Sequence, residues 1–223
     1  MPPRIIYKTR IKISDAKSPL FECQIVPVIT IDALEQAEPL ALALQSAGFT
    51  ALEVTFRTAH AAEAIKLMKQ ACPTIHIGAG TITGAAQFDA ACDAGSDFLV
   101  SPGTSSALFE LFETVNVPVF PGVASASEAI AAFERGYSAQ KFFPAGAIGG
   151  SAALKALAAP LAQISFMPTG GISDKNMQEY LDLPNVVAVG GSWMIDKSAL
   201  AQADWDALTA YAEQKNAATT KII

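Results

Sequence analysis

The sequence has few of the residues that build metal centres and disulfide frameworks. Its 223 residues include only three cysteines and two histidines. Cys23, Cys72 and Cys92 are odd in number and far apart, so they fit neither a disulfide framework nor a metal-ligand spacing, and we expect buried free thiols. The histidines, His60 and His76, lie in no cluster with other metal ligands. A catalytic metal or another cofactor is therefore not expected.

Long apolar runs are also missing, and a secretory leader is not expected. Hydrophobic residues make up 51% of the chain, but the apolar runs are interrupted well before the ~18 residues that a membrane-spanning helix needs. Five basic residues interrupt the first 17 positions, where a signal peptide would need an apolar region. The sequence thus predicts no association with membranes and a cytoplasmic location.

Positive charge is scarce outside the N-terminus. The formal net charge is −6, and residues 18–223 carry ten basic residues against twenty acidic ones. A body with this charge repels nucleic acid and anionic lipid surfaces. We therefore expect no nucleic-acid partner, and an anionic substrate has to be bound by local donors.

Eight repeats of a β-rich run followed by a helical pattern fill most of the chain. Helices alternating with strands indicate a parallel sheet, and eight such units predict a single-domain (β/α)8 TIM barrel. An open doubly wound sheet is the alternative, although the first strand is not followed by a glycine-rich nucleotide turn. The first helix is expected over 32–47, with Asp32 as its N-cap and Gly48 as its stop. The predicted strands are 24–30, 51–57, 74–80, 97–102, 119–123, 139–145, 164–169 and 186–190.

The barrel is expected to occupy residues 20–216. A basic extension over 1–19, expected to be poorly ordered, precedes it, and a short tail over 217–223 follows. In this fold the active site lies at the C-terminal ends of the strands. Functional residues should therefore be found there.

Lys141 lies in a largely apolar strand, between Gln140 and Phe142. Because side chains alternate across a strand, it shares a face with Ala139 and Phe143. Burial disfavours the charged form of an amine, and a neutral amine can attack a carbonyl to form a Schiff base. The alternative is a lysine whose stem packs while its ammonium reaches water or a carboxylate.

The second strand places three polar residues, Glu53, Thr55 and Arg57, on one face. If the apolar face packs outward, all three point into the barrel. The functional hypothesis makes Glu53 a general acid and base and uses Arg57 to bind a substrate carboxylate. The alternative is a structural ion-pair network formed by Glu53, Arg57 and Lys141.

Two glycine pairs follow the last two strands, in the stretches 169–172 and 190–193. Glycine lets backbone N–H groups approach a ligand, and barrels frequently bind phosphate in the loops after strands seven and eight. Ser192 adds a hydroxyl donor. These features predict a phosphate site. The stretches 78–81 and 101–103, which end the third and fourth strands, are either part of the site or simple turns.

Together these motifs closely resemble the 2-keto-3-deoxy-6-phosphogluconate (KDPG) aldolase and 4-hydroxy-2-oxoglutarate aldolase family. The resemblance covers roughly residues 20–215. The motifs that carry it are Glu53-Val54-Thr55-Phe56-Arg57-Thr58, Gly78-Ala79-Gly80-Thr81, Ser101-Pro102-Gly103, Lys141-Phe142-Phe143-Pro144-Ala145, Pro168-Thr169-Gly170-Gly171-Ile172 and Gly190-Gly191-Ser192-Trp193.

The resemblance implies a class I, metal-independent aldolase of the Entner–Doudoroff pathway, usually a homotrimer. Its substrate would be a phosphorylated keto acid, split into pyruvate and glyceraldehyde 3-phosphate. Lys141 matches the Schiff-base lysine, and Glu53 matches the acid/base carboxylate. The implied substrate-binding residues are Arg57, Thr81 and Thr169 for the pyruvate moiety, Phe143 at the lysine, Pro102 near the catalytic water, and Gly170, Gly171, Gly191 and Ser192 for the phosphate.

One loop departs from the family pattern. Members often carry an acidic residue and then asparagine after the lysine motif, where this chain has Gly146 and Ile148. This difference bears on the hydroxyl pattern of the preferred substrate. The resemblance also implies cleavage of 4-hydroxy-2-oxoglutarate into pyruvate and glyoxylate. The galactonate-derived epimer, or unphosphorylated 4-hydroxy-2-oxoglutarate, is the alternative main substrate. Two other classes stay open: a phosphate-binding barrel isomerase or epimerase without a covalent intermediate, and a non-catalytic sugar-phosphate binding protein.

Overall fold

The structure, a computed structural model, describes residues 24–217. The expected N-terminal extension lies outside these residues, as does all but the first residue of the expected tail. The described strands are β1 (Ile25–Ile29), β2 (Ala51–Thr55), β3 (His76–Gly80), β4 (Leu99–Val100), β5 (Val119–Phe120), β6 (Gly122–Val123), β7 (Ala139–Phe142), β8 (Ser165–Pro168) and β9 (Val189–Gly191).

Helices connect these strands and cover the outside of the sheet. The described residues form one α-helix more than the sequence pattern predicts, and the additional one is α8, a short helix after the last strand. The helices are α1 (Ala37–Ser46), α2 (Ala61–Ala71), α3 (Ala85–Asp93), α4 (Ser106–Phe112), α5 (Ala126–Glu134), α6 (Gly150–Ala158), α7 (Met177–Leu181), α8 (Lys197–Ala201) and α9 (Trp205–Ala217).

The strands form a closed parallel ring, so the prediction of a (β/α)8 barrel is confirmed. One ladder has the order β5-β4-β3-β2-β1-β9, and a second has the order β6-β7-β8. Isolated bridges between Phe166 and Val186 and between Thr169 and Gly190 join the second ladder to the segment that contains β9. At the fifth position Pro121 separates β5 from β6. Its carbonyl still accepts a hydrogen bond from the Lys141 N–H, at 3.0 Å.

The prediction that Asp32 caps the first helix is wrong. A 3-10 turn over Leu34–Gln36 precedes α1, whose N-cap is Gln36, without a side-chain cap. Asp32 instead lines a cavity at the end of β1. A sequence pattern of apolar residues continues through a 3-10 turn, and the chain therefore gives no signal that the α-helix begins later.

Alternation along the strands separates two hydrophobic cores. The larger core lies between the strands and the helices, and it includes Leu52, Val54 and Phe142. The smaller core fills the barrel, with Ala51, Phe98, Val100, Phe120, Ala139 and Met167 among its members. Lys141 therefore faces the barrel interior, two residues beyond Ala139 on the same face of β7.

Cys23 lies outside the described residues, and the two described cysteines differ from each other. Cys72 is buried, as expected, and burial raises the pKa of its thiol. Cys92 is exposed, so the expectation of a buried thiol is wrong there. Its pKa is also raised, first by partial desolvation and then by the neighbouring carboxylates of Asp89 and Asp93.

Among residues 24–217, no helix is long and apolar enough to cross a membrane.

Candidate active site

Lys141 and Glu53 form a buried ion pair inside the barrel. The Lys141 Nζ donates to Glu53 Oε1 at 2.8 Å and to Oε2 at 3.2 Å. The side chains are 5% and 0% exposed. Two charges at this depth are costly to desolvate, and the loss of either leaves the other uncompensated. The lysine therefore has its ammonium against a carboxylate and not in water.

The register of the parallel strands determines how far along the barrel axis this ion pair lies. Glu53 on β2 is in register with Val28 on β1 and with Gly78 on β3. Lys141 on β7 is in register with Gly122 and Met167. The two residues thus come from strands on different sides of the ring and meet across its interior. The Lys141 Nζ also lies 5.6 Å from the centre of the Phe143 ring.

The inner face of β3 carries glycine at its last two positions, Gly78 and Gly80, which leaves space for neighbouring side chains. A β-carbon on Gly80 would overlap the Glu53 carboxylate, and one on Gly78 would overlap the Phe98 ring. Both contacts are too close to relieve by a small rotation, since these are buried groups in a packed barrel. Gly80 therefore acts as a positioning residue for the Glu53 carboxylate.

We expect Gly80→Ala to lower kcat about 100-fold, because the new methyl group moves the carboxylate away from Lys141. Gly84→Ala is the matched control, since a β-carbon there meets no atom within 4 Å and the backbone is extended, with φ of −174°. Steady-state rates, together with circular dichroism of both variants, measure the effect. A folded Gly80→Ala protein with unchanged kcat would contradict this role of Gly80.

Arg57 does not lie on the inward face of β2 as predicted. The strand ends at Thr55, and Arg57 is exposed in the turn that follows. Thr55 donates to the Ile29 carbonyl at 3.0 Å and pairs with Thr30 at 2.8 Å. The structural network of Glu53, Lys141 and Arg57 is therefore reduced to the first two residues, and Arg57 stays available to a ligand.

A cavity of about 720 Å³ lies at the C-terminal ends of β1, β2, β7, β8 and β9. It contains most of the predicted binding residues, including Arg57 and Phe143. The turns after β8 and β9 contribute Thr169, Gly170, Gly171, Gly191 and Ser192. Phe143 links this cavity to the deeper ion pair, because its ring also lies beside Lys141.

Thr169 lines this cavity and has a buried hydroxyl without a partner. The residue is 6% exposed, and its Oγ1 has no hydrogen-bond partner. A buried polar atom of this kind costs free energy unless a ligand or water satisfies it. Gly190 makes the arrangement possible, since a β-carbon there would overlap the Thr169 hydroxyl.

The turns after β8 and β9 need glycine because of their backbone angles and close contacts. Gly170 and Gly171 have φ of +93° and +76°, in the region that disfavours side chains. A β-carbon on Gly191 would overlap the Trp193 ring. Gly146, where the chain departs from the family pattern, donates its N–H to the Gly170 carbonyl at 2.9 Å. The 3-10 turn Ala145–Ile148 therefore packs on the glycine turn.

Thr81 and Pro102 do not line the described cavity. Thr81 follows β3 with φ of +62°, a strained conformation for a β-branched residue and one that is concentrated at functional sites. Pro102 lies in the loop after β4. Ser101 accepts a hydrogen bond from the Gly122 N–H at 3.0 Å and pairs with Thr104 at 2.9 Å, which anchors that loop to β6.

The loop after β1 and helix α8 also contribute to the cavity, which the sequence did not predict. Asp32 and Gln36 line it from the loop after β1, and Lys197 and Leu200 line it from α8. These residues belong to no motif, and only the ring order, which puts β9 beside β1, brings them together.

In the described part of the chain, no group of three or more His, Cys, Asp or Glu residues could hold a metal ion.

The arrangement can perform covalent carbonyl chemistry. It combines a shielded amine, a carboxylate within hydrogen-bond distance of that amine, and an adjacent cavity lined by a guanidinium and by backbone turns that suit an anion.

Comparisons with known proteins agree with this combination. The family model described as "Aldolase: KDPG and KHG aldolase" matches residues 16–211. The 2-dehydro-3-deoxy-phosphogluconate aldolase of Pseudomonas aeruginosa is 47% identical over 82% of this chain and 84% of that protein. The KHG/KDPG aldolase of Escherichia coli is 39% identical over 90% of this chain and 94% of that protein.

A solved structure extends the similarity to the fold. The KDPG aldolase of Legionella pneumophila, with pyruvate captured as a covalent carbinolamine intermediate, has a TM-score of 0.84 and 42% identity. The match covers 87% of this chain and 95% of that one. On the evidence of the matched model and of these relatives, the chain belongs to the KDPG and KHG aldolase family.

Proposed function

We propose that the protein is a class I aldolase that cleaves KDPG (2-dehydro-3-deoxy-6-phosphogluconate) into pyruvate and glyceraldehyde 3-phosphate. The observation that carries this proposal is the Lys141 amine, which is buried inside the barrel and hydrogen-bonded to Glu53 at 2.8 Å. Family membership supports the same reaction, because a relative named for this activity is 47% identical.

Catalysis begins at Lys141. Glu53 takes a proton from the ammonium, and the free amine attacks the C2 carbonyl of the keto acid to give a carbinolamine. Glu53 returns this proton to the carbinolamine hydroxyl, which leaves as water, so that an iminium joins Nζ to C2 and Glu53 is again a carboxylate. The relative from Legionella pneumophila was captured with pyruvate at the carbinolamine stage. The positive iminium withdraws electrons from the C3–C4 bond.

Glu53 then acts at C4, the carbon on the other side of that bond from the iminium. As a general base it removes the proton from the C4 hydroxyl, C4 becomes the aldehyde of glyceraldehyde 3-phosphate, and the electron pair of the broken bond enters the iminium to form an enamine. Protonation of C3 gives the iminium of pyruvate. Addition of water releases pyruvate and restores Lys141 as an amine.

Substrate binding is assigned to the residues around this centre. Arg57 donates two hydrogen bonds to the substrate carboxylate in a bidentate interaction. The unpartnered hydroxyl of Thr169 donates to the pyruvate moiety. Thr81 contributes to the same end of the substrate, while Phe143 packs on the lysine adduct and Pro102 lies near the attacking water. Gly170, Gly171, Gly191 and Ser192 form the phosphate end.

A second activity, cleavage of 4-hydroxy-2-oxoglutarate into pyruvate and glyoxylate, is part of the proposal. It uses the same lysine adduct and breaks the same type of bond, and the Escherichia coli relative is named for both substrates. The galactonate-derived epimer is the alternative substrate. A structure named KDPGal is 26% identical with a TM-score of 0.75, which is a weaker match than the KDPG relatives.

The remaining expectations belong to the same proposal. As a member of this family the protein is expected to assemble as a homotrimer, to work in the cytoplasm and to contribute to Entner–Doudoroff catabolism. Sedimentation of the purified protein measures the assembly, which should not change when substrate is added.

Reduction with borohydride in the presence of pyruvate tests the covalent step. We expect irreversible inactivation and one modified peptide that contains Lys141, because reduction converts the iminium into a stable secondary amine. Borohydride without pyruvate is the control and should leave activity intact. Mass mapping of the peptide identifies the lysine.

The same experiment separates the alternatives. An isomerase that uses Lys141 only as a charge, or a sugar-phosphate binding protein, would give no adduct. Modification of a different lysine, or none, would contradict the proposal. Rates with KDPG and with its galactonate-derived epimer then rank the substrates.

A further inference from the structure

The cavity contains a cation outside the family motifs, Lys197. It is the first residue of α8 and lines the cavity together with Gly191 and Ser192. Among the described residues that line the cavity, Arg57 and Lys197 are the cations and Asp32 is the acid. No hydrogen bond or ion pair within the described part of the chain involves the Lys197 side chain.

The local backbone keeps Lys197 beside the phosphate end. Asp196 caps α8, and its Oδ1 accepts from the N–H groups of Ser198 at 2.7 Å and Ala199 at 3.2 Å. The carboxylate next to Lys197 is therefore occupied by the backbone. An ammonium without an ion-pair partner at the edge of an anion site is available to an incoming dianion.

Strand order places Arg57 and Lys197 far enough apart to bind the two charged ends of one substrate. Arg57 follows β2 and Lys197 follows β9, and β1 lies between these strands. Two strand spacings amount to about 10 Å. The substrate carries a carboxylate at one end of a six-carbon chain and a phosphate at the other. One cation can therefore serve each end.

We propose that Lys197 binds the substrate phosphate and makes this site selective for phosphorylated keto acids. The inference rests on the proposed aldolase function. Arg57 holds the carboxylate near the lysine adduct, and Lys197 holds the opposite end with the turn at Gly191 and Ser192. Asp32 lines the same cavity and opposes a dianion, so the positive charge of Lys197 is needed to offset it.

Kinetics of Lys197→Met, Lys197→Arg and Lys155→Met test this role. Lys155 is exposed in the last turn of α6, outside the cavity, and its replacement changes the net charge equally. We expect Lys197→Met to raise KM for KDPG about 10-fold, and at least fivefold more than KM for 2-keto-3-deoxygluconate, which lacks the phosphate. Lys197→Arg should retain most of the affinity, and Lys155→Met should match the parent protein.

Calorimetric titration with inorganic phosphate separates this proposal from the aldolase assignment. Phosphate binding requires no chemistry, so it reports on Lys197 even if no pyruvate adduct forms. We expect Lys197→Met to weaken phosphate binding about 10-fold while borohydride still traps pyruvate on Lys141. Unchanged phosphate binding, or equal increases of KM with both keto acids, would overturn the role of Lys197.

Discussion

Replacing Lys141 with alanine is expected to lower kcat for KDPG about 10⁴-fold or more, the scale typical of losing a covalent nucleophile. Without the amine no iminium forms, and the C3–C4 bond would have to break to a free carbanion. Pyruvate and borohydride should then leave the variant unmodified. Coupled detection of pyruvate measures the rate, and intact-protein mass spectrometry measures the adduct.

The variant needs a folding control because Lys141 neutralises a buried charge. Glu53 is fully buried, and removing one partner of such a pair costs about 3–5 kcal/mol of stability. Lys141→Met keeps more of the apolar stem packing and should fold better. Thermal unfolding of both variants shows whether inactivity reflects chemistry. A folded variant that retains aldol cleavage would refute the assignment of Lys141.

Replacing Glu53 with glutamine is expected to lower kcat about 10²- to 10⁴-fold, the usual contribution of a positioned general acid or base. The amide has nearly the shape of the carboxylate and can still accept from the Lys141 amine, but it cannot carry the C4 hydroxyl proton. Adduct formation should therefore persist, more slowly, while cleavage nearly stops.

The two measurements together identify the role of Glu53. Trapping of pyruvate with borohydride reports on the lysine, and exchange of the pyruvate methyl hydrogens with deuterated solvent reports on proton transfer. Glu63→Gln, at an exposed position on α2, is the matched control. If Glu53→Gln lost trapping and exchange in equal measure, the carboxylate would serve only to support the lysine.

The periodic parts of the chain made most of the fold predictable. The order of strands and helices follows from apolar spacing, and eight units lead to a closed ring. The inward direction of the Lys141 side chain was also predictable, because alternation along the strand puts it on the same face as Ala139. The interruption at Pro121 and the extra helix α8 did not follow, since both depend on how neighbouring segments pack.

The candidate site was predictable where a motif carried it. Lys141 and Glu53 lie on opposite strands, and their partnership follows from two inward faces meeting in one barrel. The placement of Arg57 was less accurate, because a strand pattern does not show that β2 ends at Thr55. Lys197 had no motif at all. Its position depends on the closure of the ring, which makes the last strand a neighbour of the first.

Closure of the ring also protects the protein from indiscriminate association. An open sheet has outer strands whose free N–H and C=O groups can recruit another polypeptide and start aggregation. Over residues 24–217 each strand position has neighbours on both sides, with the fifth position divided between β5 and β6. Self-assembly of this barrel must therefore proceed through helix side chains and loops, which leaves the backbone ladder inaccessible to amyloid-like growth.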